Sequence, residues 1–199
     1  MGHSVTVHLI RHEKTAANIE RKYIGWTDES IVINKCEYQL PIQPANVYGS
    51  DLKRCKETAK LYFPTAYFHP LEKFREINFG DFEMKTYEQL KENPMYRQWI
   101  DSPETVIPPN GESFANFTER IVHQFRQIVS AAGDYCFIFH GGVIRVLLSM
   151  IGPKEESFQQ IDVQHRLIYT LQWSTWANFE GGARCESLSV EPIMEKENL

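Results

Sequence analysis

Two short apolar runs, at residues 5–10 (VTVHLI) and 135–139 (YCFIF), each break off at a histidine. Strands so rich in β-branched and aromatic residues suit a sheet covered on both faces, and such strands are mostly parallel, with helices on either side. Open α/β sheets bind their ligands beyond the carboxyl ends of the strands. Arg11-His12-Glu13 and His140-Gly141-Gly142 therefore fall where functional groups are expected. One histidine at a strand end carries little, but two at one edge constrain both fold and chemistry. The paired glycines add backbone N–H groups at a helix start, which suit an anion.

The rest of the chain alternates in the same manner. Strands are expected at 45–50, 66–68, 167–173 and 184–190, and helices at 52–62, 86–91, 114–131 and 143–151. A further helix start lies at 15–22 with Thr15 as its cap. Leu52, Cys55, Ala59 and Tyr62 share one helical face, and Phe117, Ile121, Phe125 and Ile128 form the stripe of the longest helix. Ser113 would cap that helix and Gly133 would end it. Residues 71–112 mix proline, aromatic and polar residues, including SPETVIPPNG at 102–111. A long irregular segment in a compact domain is usually functional, so this one reads as a lid. The expected architecture is a single α/β domain over 1–199. It is a three-layer sandwich with a mostly parallel central sheet flanked by helices, and a lid-like insertion at about 71–112 over the sheet's C-terminal edge. The charged tail after Pro192 reads as frayed.

A chain of 199 residues suffices for one well-buried core. Its formal net charge of -5 speaks against nucleic acid as a partner. It leaves room for an anionic substrate, because a few convergent arginines can make one cleft positive. No apolar run reaches roughly 18 residues, so no membrane helix is expected, and no leader pattern is visible. Cys36, Cys55, Cys136 and Cys185 lie far apart, which suits reduced thiols in a cytoplasmic protein better than zinc or a disulfide framework. His12-Glu13 begins an H-E-x-x-H pattern that fails at Ala16. No cysteine has an arginine six residues on, no Asp-x-Asp follows the first strand and no Walker A loop is present. Gly111-Glu112-Ser113 lacks the closing glycine of a serine elbow. Histidine chemistry remains, with no metal and no cofactor.

RHEKTAAN at residues 11–18 resembles the R-H-G-E-T-x-x-N signature of the histidine phosphatase superfamily, in the branch that contains the phosphoglycerate mutases. GWTD at 25–28, SDLKRCKETA at 50–59, FREINFGDFE at 74–83, PNGES at 109–113 and HGGVIR at 140–145 resemble its further segments, in order. The resemblance implies that His12 is the nucleophile and forms a transient phosphohistidine. It implies that Arg11 and Arg54 grip phosphate oxygens with forked donors, helped by Asn18 and the Gly141 N–H. His140 would stabilise the transition state, and Glu76 would protonate the leaving oxygen and then activate water. Taken alone, Arg54 beside Glu57 reads as a solvated helix face. His3, His8, His69, His123 and His165 match no motif and read as structural or exposed, and Trp26 and Phe82 read as packing residues.

Two departures stand out. Glu13 and Lys14 occupy positions where relatives carry Gly and Glu; the Glu13 side chain is expected to turn away and Lys14 to add positive charge. Residues 30–43 are too few for the helix most relatives have there, and the face left open could be covered by the lid or in a homodimer. The chain length, FGDFEM at 79–84 and IPPNGE at 107–112 look most like α-ribazole-phosphate phosphatases. The implied function is a metal-independent phosphatase acting on a small phosphorylated metabolite, with α-ribazole 5′-phosphate as leading candidate. Mutase-like phosphoryl transfer and non-catalytic phosphate binding are the alternatives.

Overall fold

The computed structural model describes residues 3–32 and 36–196. A six-stranded sheet forms its centre, in the order β4-β3-β5-β1-β6-β7. These are β1 (Val5–Arg11), β3 (Asn46–Ser50), β4 (Tyr67–Leu71), β5 (Gly133–Phe139), β6 (Leu167–Trp173) and β7 (Ser187–Pro192). The four strands from β4 to β1 run parallel, β6 pairs antiparallel with β1, and β7 pairs antiparallel with β6. The sheet is thus mostly parallel and flanked by helices, as the alternating pattern requires.

Period-two alternation divides the core between the two faces. Val5, Val7, Leu9, Phe137 and Phe139 point to one side, where α5 (Phe114–Ile128) and α6 (Gly141–Ile151) bury Phe117, Ile121, Phe125, Val143 and Leu147 against them. Ile10, Val47, Cys136 and Ile138 point to the other, where α2 (Lys53–Tyr62) contributes Cys55, Ala59 and Tyr62. The second face is closed by a two-stranded ribbon of β2 (Tyr38–Gln39) and β8 (Met194–Glu195), with Tyr38, Leu40 and Ile193 buried beneath it. Two expectations are corrected here. The tail does not fray at Pro192: Ile193 is buried and Arg166 holds Glu195 at 2.6 Å. The face left open by the missing helix is covered by the chain's own C-terminal strand, although residues 33–35 and 197–199 lie outside the described residues.

Helix boundaries also shift. The stretch expected to be helical at 15–22 is one turn, α1 (Ala16–Ile19), capped reciprocally by Thr15 and Asn18. It ends because Arg21 takes a φ of 56°, which no helix accommodates. The longest helix stops at Ile128, short of residue 131. Gly133, expected to end that helix, opens β5 at a φ of 150°. Residues 71–112 contain α3 (Tyr87–Leu90) and α4 (Pro94–Asp101), with a small core of Phe82, Leu90, Tyr96 and Trp99. Helix α4 is absent from the sequence reading. Asn93 caps it through Met95 N and Tyr96 N, and Pro94 fills its first turn, a pair that reads equally as a loop signal. Between β6 and β7 lies a short α7 (Trp176–Glu180), also unanticipated.

Candidate active site

The β1–β5 register sets the site. Arg11 pairs with Phe139, so the two strands stop on one line and the residues that follow, His12 and His140, emerge side by side. His12 N donates to Phe139 O at 2.9 Å, and the two imidazole centroids are 5.1 Å apart. Only 3 % of His12 and 1 % of His140 are exposed.

His12 Nδ1 lies 2.7 Å from its neighbour's carbonyl, Glu13 O. A carbonyl only accepts, so Nδ1 carries the proton and Nε2 keeps its lone pair. Burial, then the charges of Arg54 and Arg11, hold His12 well below the usual histidine range, so the ring stays neutral. His140 is pushed the same way by the same causes, burial first. Arg54 Nε donates to His140 Nδ1 at 3.2 Å, and His140 Nε2 faces Cys55 Sγ at 3.7 Å. The second histidine is thereby locked against α2.

Arg54 is not on a solvated helix face. It is fully buried, with Nη1 donating to Thr27 O at 2.8 Å and Nη2 to Gly25 O at 2.5 Å. The Gly25-Trp26-Thr27-Asp28 turn that receives it is held by Glu83, which accepts from Trp26 N, Thr27 N and Thr27 Oγ1. Asp28 in turn accepts from Lys53 N at the start of α2. Arg11 donates through Nη1 to Val163 O at 2.7 Å, and its guanidinium lies against Gly141, where a Cβ would meet Arg11 Cζ at 3.3 Å. Burial is the main cause lowering both guanidinium pKa values, yet both remain cations. A buried guanidinium, Arg54, and a half-buried one, Arg11, beside neutral histidines leave the site positive.

Glu76 projects from the segment after β4 onto the start of α6. Its Oε2 accepts from Gly142 N at 2.8 Å and its Oε1 from Ile77 N at 2.9 Å. Gly142 N–H is thus committed to Glu76, and Gly141 N–H stands next to it at the helix start. Asn18 spends its Oδ1 on Thr15 N and lines the same cleft as Arg11, Glu76 and Gly141. The cleft holds about 390 Å³ and continues into a wall of Tyr23, Phe79, Trp99, Phe114 and Phe158.

Glu13 does turn from the phosphate-gripping groups, and it is neutralised. Its carboxylate accepts from Tyr62 Oη and from Arg166 Nε, the latter at 3.0 Å. Its backbone N–H donates to Thr58 Oγ1 at 2.9 Å, so α2 fixes the peptide whose carbonyl fixes His12. Lys14 lines a second cleft of about 620 Å³ that meets the first at Arg11.

Some functional neighbours escaped the sequence reading. His165 lies with its ring centroid 5.8 Å from His12, and burial pushes its pKa down to about 3. It precedes β6, whose antiparallel pairing with β1 puts Ile168 opposite Ile10, and no motif announces that pairing. Arg120 of α5 buttresses the acid segment. It donates to Lys73 O and Arg75 O at 2.7 Å, to Glu76 O at 3.0 Å, and to both oxygens of Glu112. Trp26, read as packing, donates through Nε1 to the same Glu76 carbonyl at 3.0 Å. Phe82 is a packing residue, 1 % exposed. All four cysteines are free thiols. Among the described residues no three His, Cys, Asp or Glu side chains gather as a metal-binding group.

What these side chains share is fitness for a dry, tetrahedral anion, and fold and site together define an α/β protein of the phosphoryl-handling class. The chain belongs to the histidine phosphatase superfamily (branch 1), whose family model matches residues 37–179. The matched span contains Arg54, Glu76 and His140 and begins downstream of His12. The chain is similar to the adenosylcobalamin/alpha-ribazole phosphatase of Salmonella typhimurium, 30% identical over 159 residues that cover 72% of this chain and 77% of the relative. Its fold is that of the alpha-ribazole phosphatase from Shigella flexneri, with a TM-score of 0.69 at 23% identity over 83% of this chain and 89% of that one. It is equally that of a phosphoglycerate mutase from Bacillus anthracis, with a TM-score of 0.71 at 21% identity over 96% and 93%.

Proposed function

We propose that this protein is a metal-independent cytoplasmic phosphatase that hydrolyses a small phosphomonoester through a phosphohistidine on His12. One observation carries the reading: His12 is neutral, with Nδ1–H committed to Glu13 O and its Nε2 lone pair free beside the guanidiniums of Arg54 and Arg11. Nε2 attacks phosphorus as the ester P–O bond breaks, and Glu76 delivers a proton to the leaving oxygen. Water then attacks the phosphohistidine, the P–N bond breaks, and the water proton passes to Glu76. Arg11, Arg54 and the Gly141 N–H balance the charge on the equatorial oxygens in both steps, with His140 and Asn18 beside them. α-Ribazole 5′-phosphate is the leading candidate substrate, supported by the names of the relatives and by an aromatic wall able to face a planar base.

The test is phosphate release from a panel of esters that includes α-ribazole 5′-phosphate and 3-phosphoglycerate, with EDTA present and His12→Ala alongside. Release from a clear favourite, lost in the variant, is expected. Near-wild-type turnover by His12→Ala overturns the mechanism, and isomerisation without phosphate release replaces the phosphatase by a mutase. Glu76→Gln should slow esters of poor leaving groups by roughly 10²–10⁴-fold and activated aryl phosphates far less.

A further inference from the structure

The peptide that orients the nucleophile is itself anchored from several sides. Glu13 O receives His12 Nδ1–H, Glu13 N donates to Thr58 Oγ1 at 2.9 Å, and that hydroxyl passes its own hydrogen to Arg54 O at 2.6 Å. The side chain is anchored as well. Its carboxylate is buried and accepts from Tyr62 Oη and from Arg166 Nε. Burial, then the bond to Glu13, raises Tyr62 far above the usual tyrosine range, so its hydroxyl stays a donor. Among the described residues the cation paired with Glu13 is Arg166. A buried carboxylate deprived of its cation is costly to keep, and it turns toward other positive groups. The other cations lining the same cleft are Lys14 and Arg11, the second of which grips phosphate.

Arg166 is in turn fixed from a distant part of the chain. Its Nη1 donates to Glu195 at 2.6 Å and its Nη2 to Tyr38 Oη at 2.9 Å, and its guanidinium lies over the Tyr38 ring, 5.2 Å from the centroid. Both partners belong to the β2–β8 ribbon. The backbone of Arg166 has a φ of 60°, a region that favours glycine, yet a long cationic side chain stands there. Such strain persists where the surroundings over-determine it, as these directed hydrogen bonds do. We propose that Arg166 is a positioning residue for the nucleophile. It draws the Glu13 carboxylate onto the β2–β8 ribbon, which fixes the carbonyl that orients His12 and keeps the carboxylate off Arg11. Strand β8 is thereby coupled to catalysis. The inference rests on the phosphatase reading for the role of His12, and it concerns a residue, Glu13, where the chain departs from the glycine of its relatives.

Arg166→Met keeps an apolar stem and removes the donors. It should lower kcat/KM on any ester by roughly ten- to a hundredfold, and weaken calorimetric binding of inorganic phosphate by a similar factor, the range of a lost charge-assisted hydrogen bond. The acid limb of the kcat/KM profile should move to higher pH. The groups packed against His12 (Arg11, Arg54, His140 and His165) are cationic or neutral, and a carboxylate without its cation favours the imidazolium. Glu13→Gln in the Arg166→Met background removes the orphaned charge and should restore most of the loss, a rescue that a merely structural role does not allow. Tyr62→Phe, which removes the other donor, should act in the same direction with the same cure, and it carries the test if Arg166→Met does not fold. Wild-type kcat/KM in folded Arg166→Met overturns the inference, as does a loss that Glu13→Gln leaves in place. Phosphate binding separates the two readings. If the wild type turns over no ester, but phosphate affinity falls in Arg166→Met and returns with Glu13→Gln, the phosphatase reading fails and this one stands. Intact turnover with affinity unmoved gives the reverse.

Discussion

A single methyl group at residue 142 is enough to disarm the proposed acid. A Cβ there would come within 2.3 Å of Glu76 Oε1 and 3.0 Å of its carboxyl carbon, so the carboxylate must leave the α6 N-terminus. Gly142→Ala should therefore copy Glu76→Gln, with turnover of alkyl phosphates down by roughly 10²–10³-fold and of activated aryl phosphates far less. Inorganic phosphate affinity should hardly change, since Arg11 and Arg54 are untouched. An equal loss on both ester types would place Gly142 in phosphate binding instead. At this scale the sequence was readable wherever a motif marked a residue, as for His12, Glu76 and His140. Arg54 was marked by its motif too, but periodicity alone misplaces it on a solvated helix face. Periodicity registers the apolar face of α2 that meets the sheet, whereas Arg54 is buried by the Gly25–Thr27 turn, a contact no local pattern announces. Glu13 shows a limit of another kind. A carboxylate beside a nucleophile looks hostile to phosphate until Tyr62 and Arg166, from distant segments, are seen to hold it.

Among the elements, α5 does more than supply an apolar stripe. Through Arg120 it binds three carbonyls of the acid-bearing segment and the Glu112 carboxylate, and both side chains are only 13% exposed. Removing one partner of such a pair leaves a buried charge and several carbonyls unmet. Arg120→Ala should therefore lower stability by about 3 kcal/mol in urea titrations. It should also lower kcat before the protein unfolds, because Glu76 O loses one of its two side-chain donors. Full activity in the folded variant would show that Trp26 alone suffices to hold that segment. The strands and the long helices were legible because burial on two faces leaves apolar runs and stripes. Short elements were not. α4 has one turn of apolar signal behind an Asn-Pro pair, and the β2–β8 ribbon joins two dipeptides more than 150 residues apart, a pairing set by the second core rather than by local preference.

At the scale of the whole molecule, building a dry positive site at the sheet edge has a consequence for acid stability. Burial, with neighbouring cations, holds His12 and His140 well below 6.5 and His165 at about 3, and burial also lowers His8. The unfolded chain takes up these protons near pH 6.5, whereas the native protein refuses them until lower pH. Stability is therefore full above about pH 6.5 and is lost progressively below it, by at most about 1.4 kcal/mol per pH unit for each histidine. Between pH 6.5 and 5 carboxylates contribute little, since those held by partners, such as Asp51 beside Arg75, are shifted further down. The urea midpoint should thus fall steadily from pH 7 to pH 5. His165→Asn should make that fall shallower. An unchanged slope in His165→Asn would mean that His165 takes up its proton in the native protein as readily as in the unfolded chain, and that this part of the site is wetter than its packing against His12 and Arg11 implies.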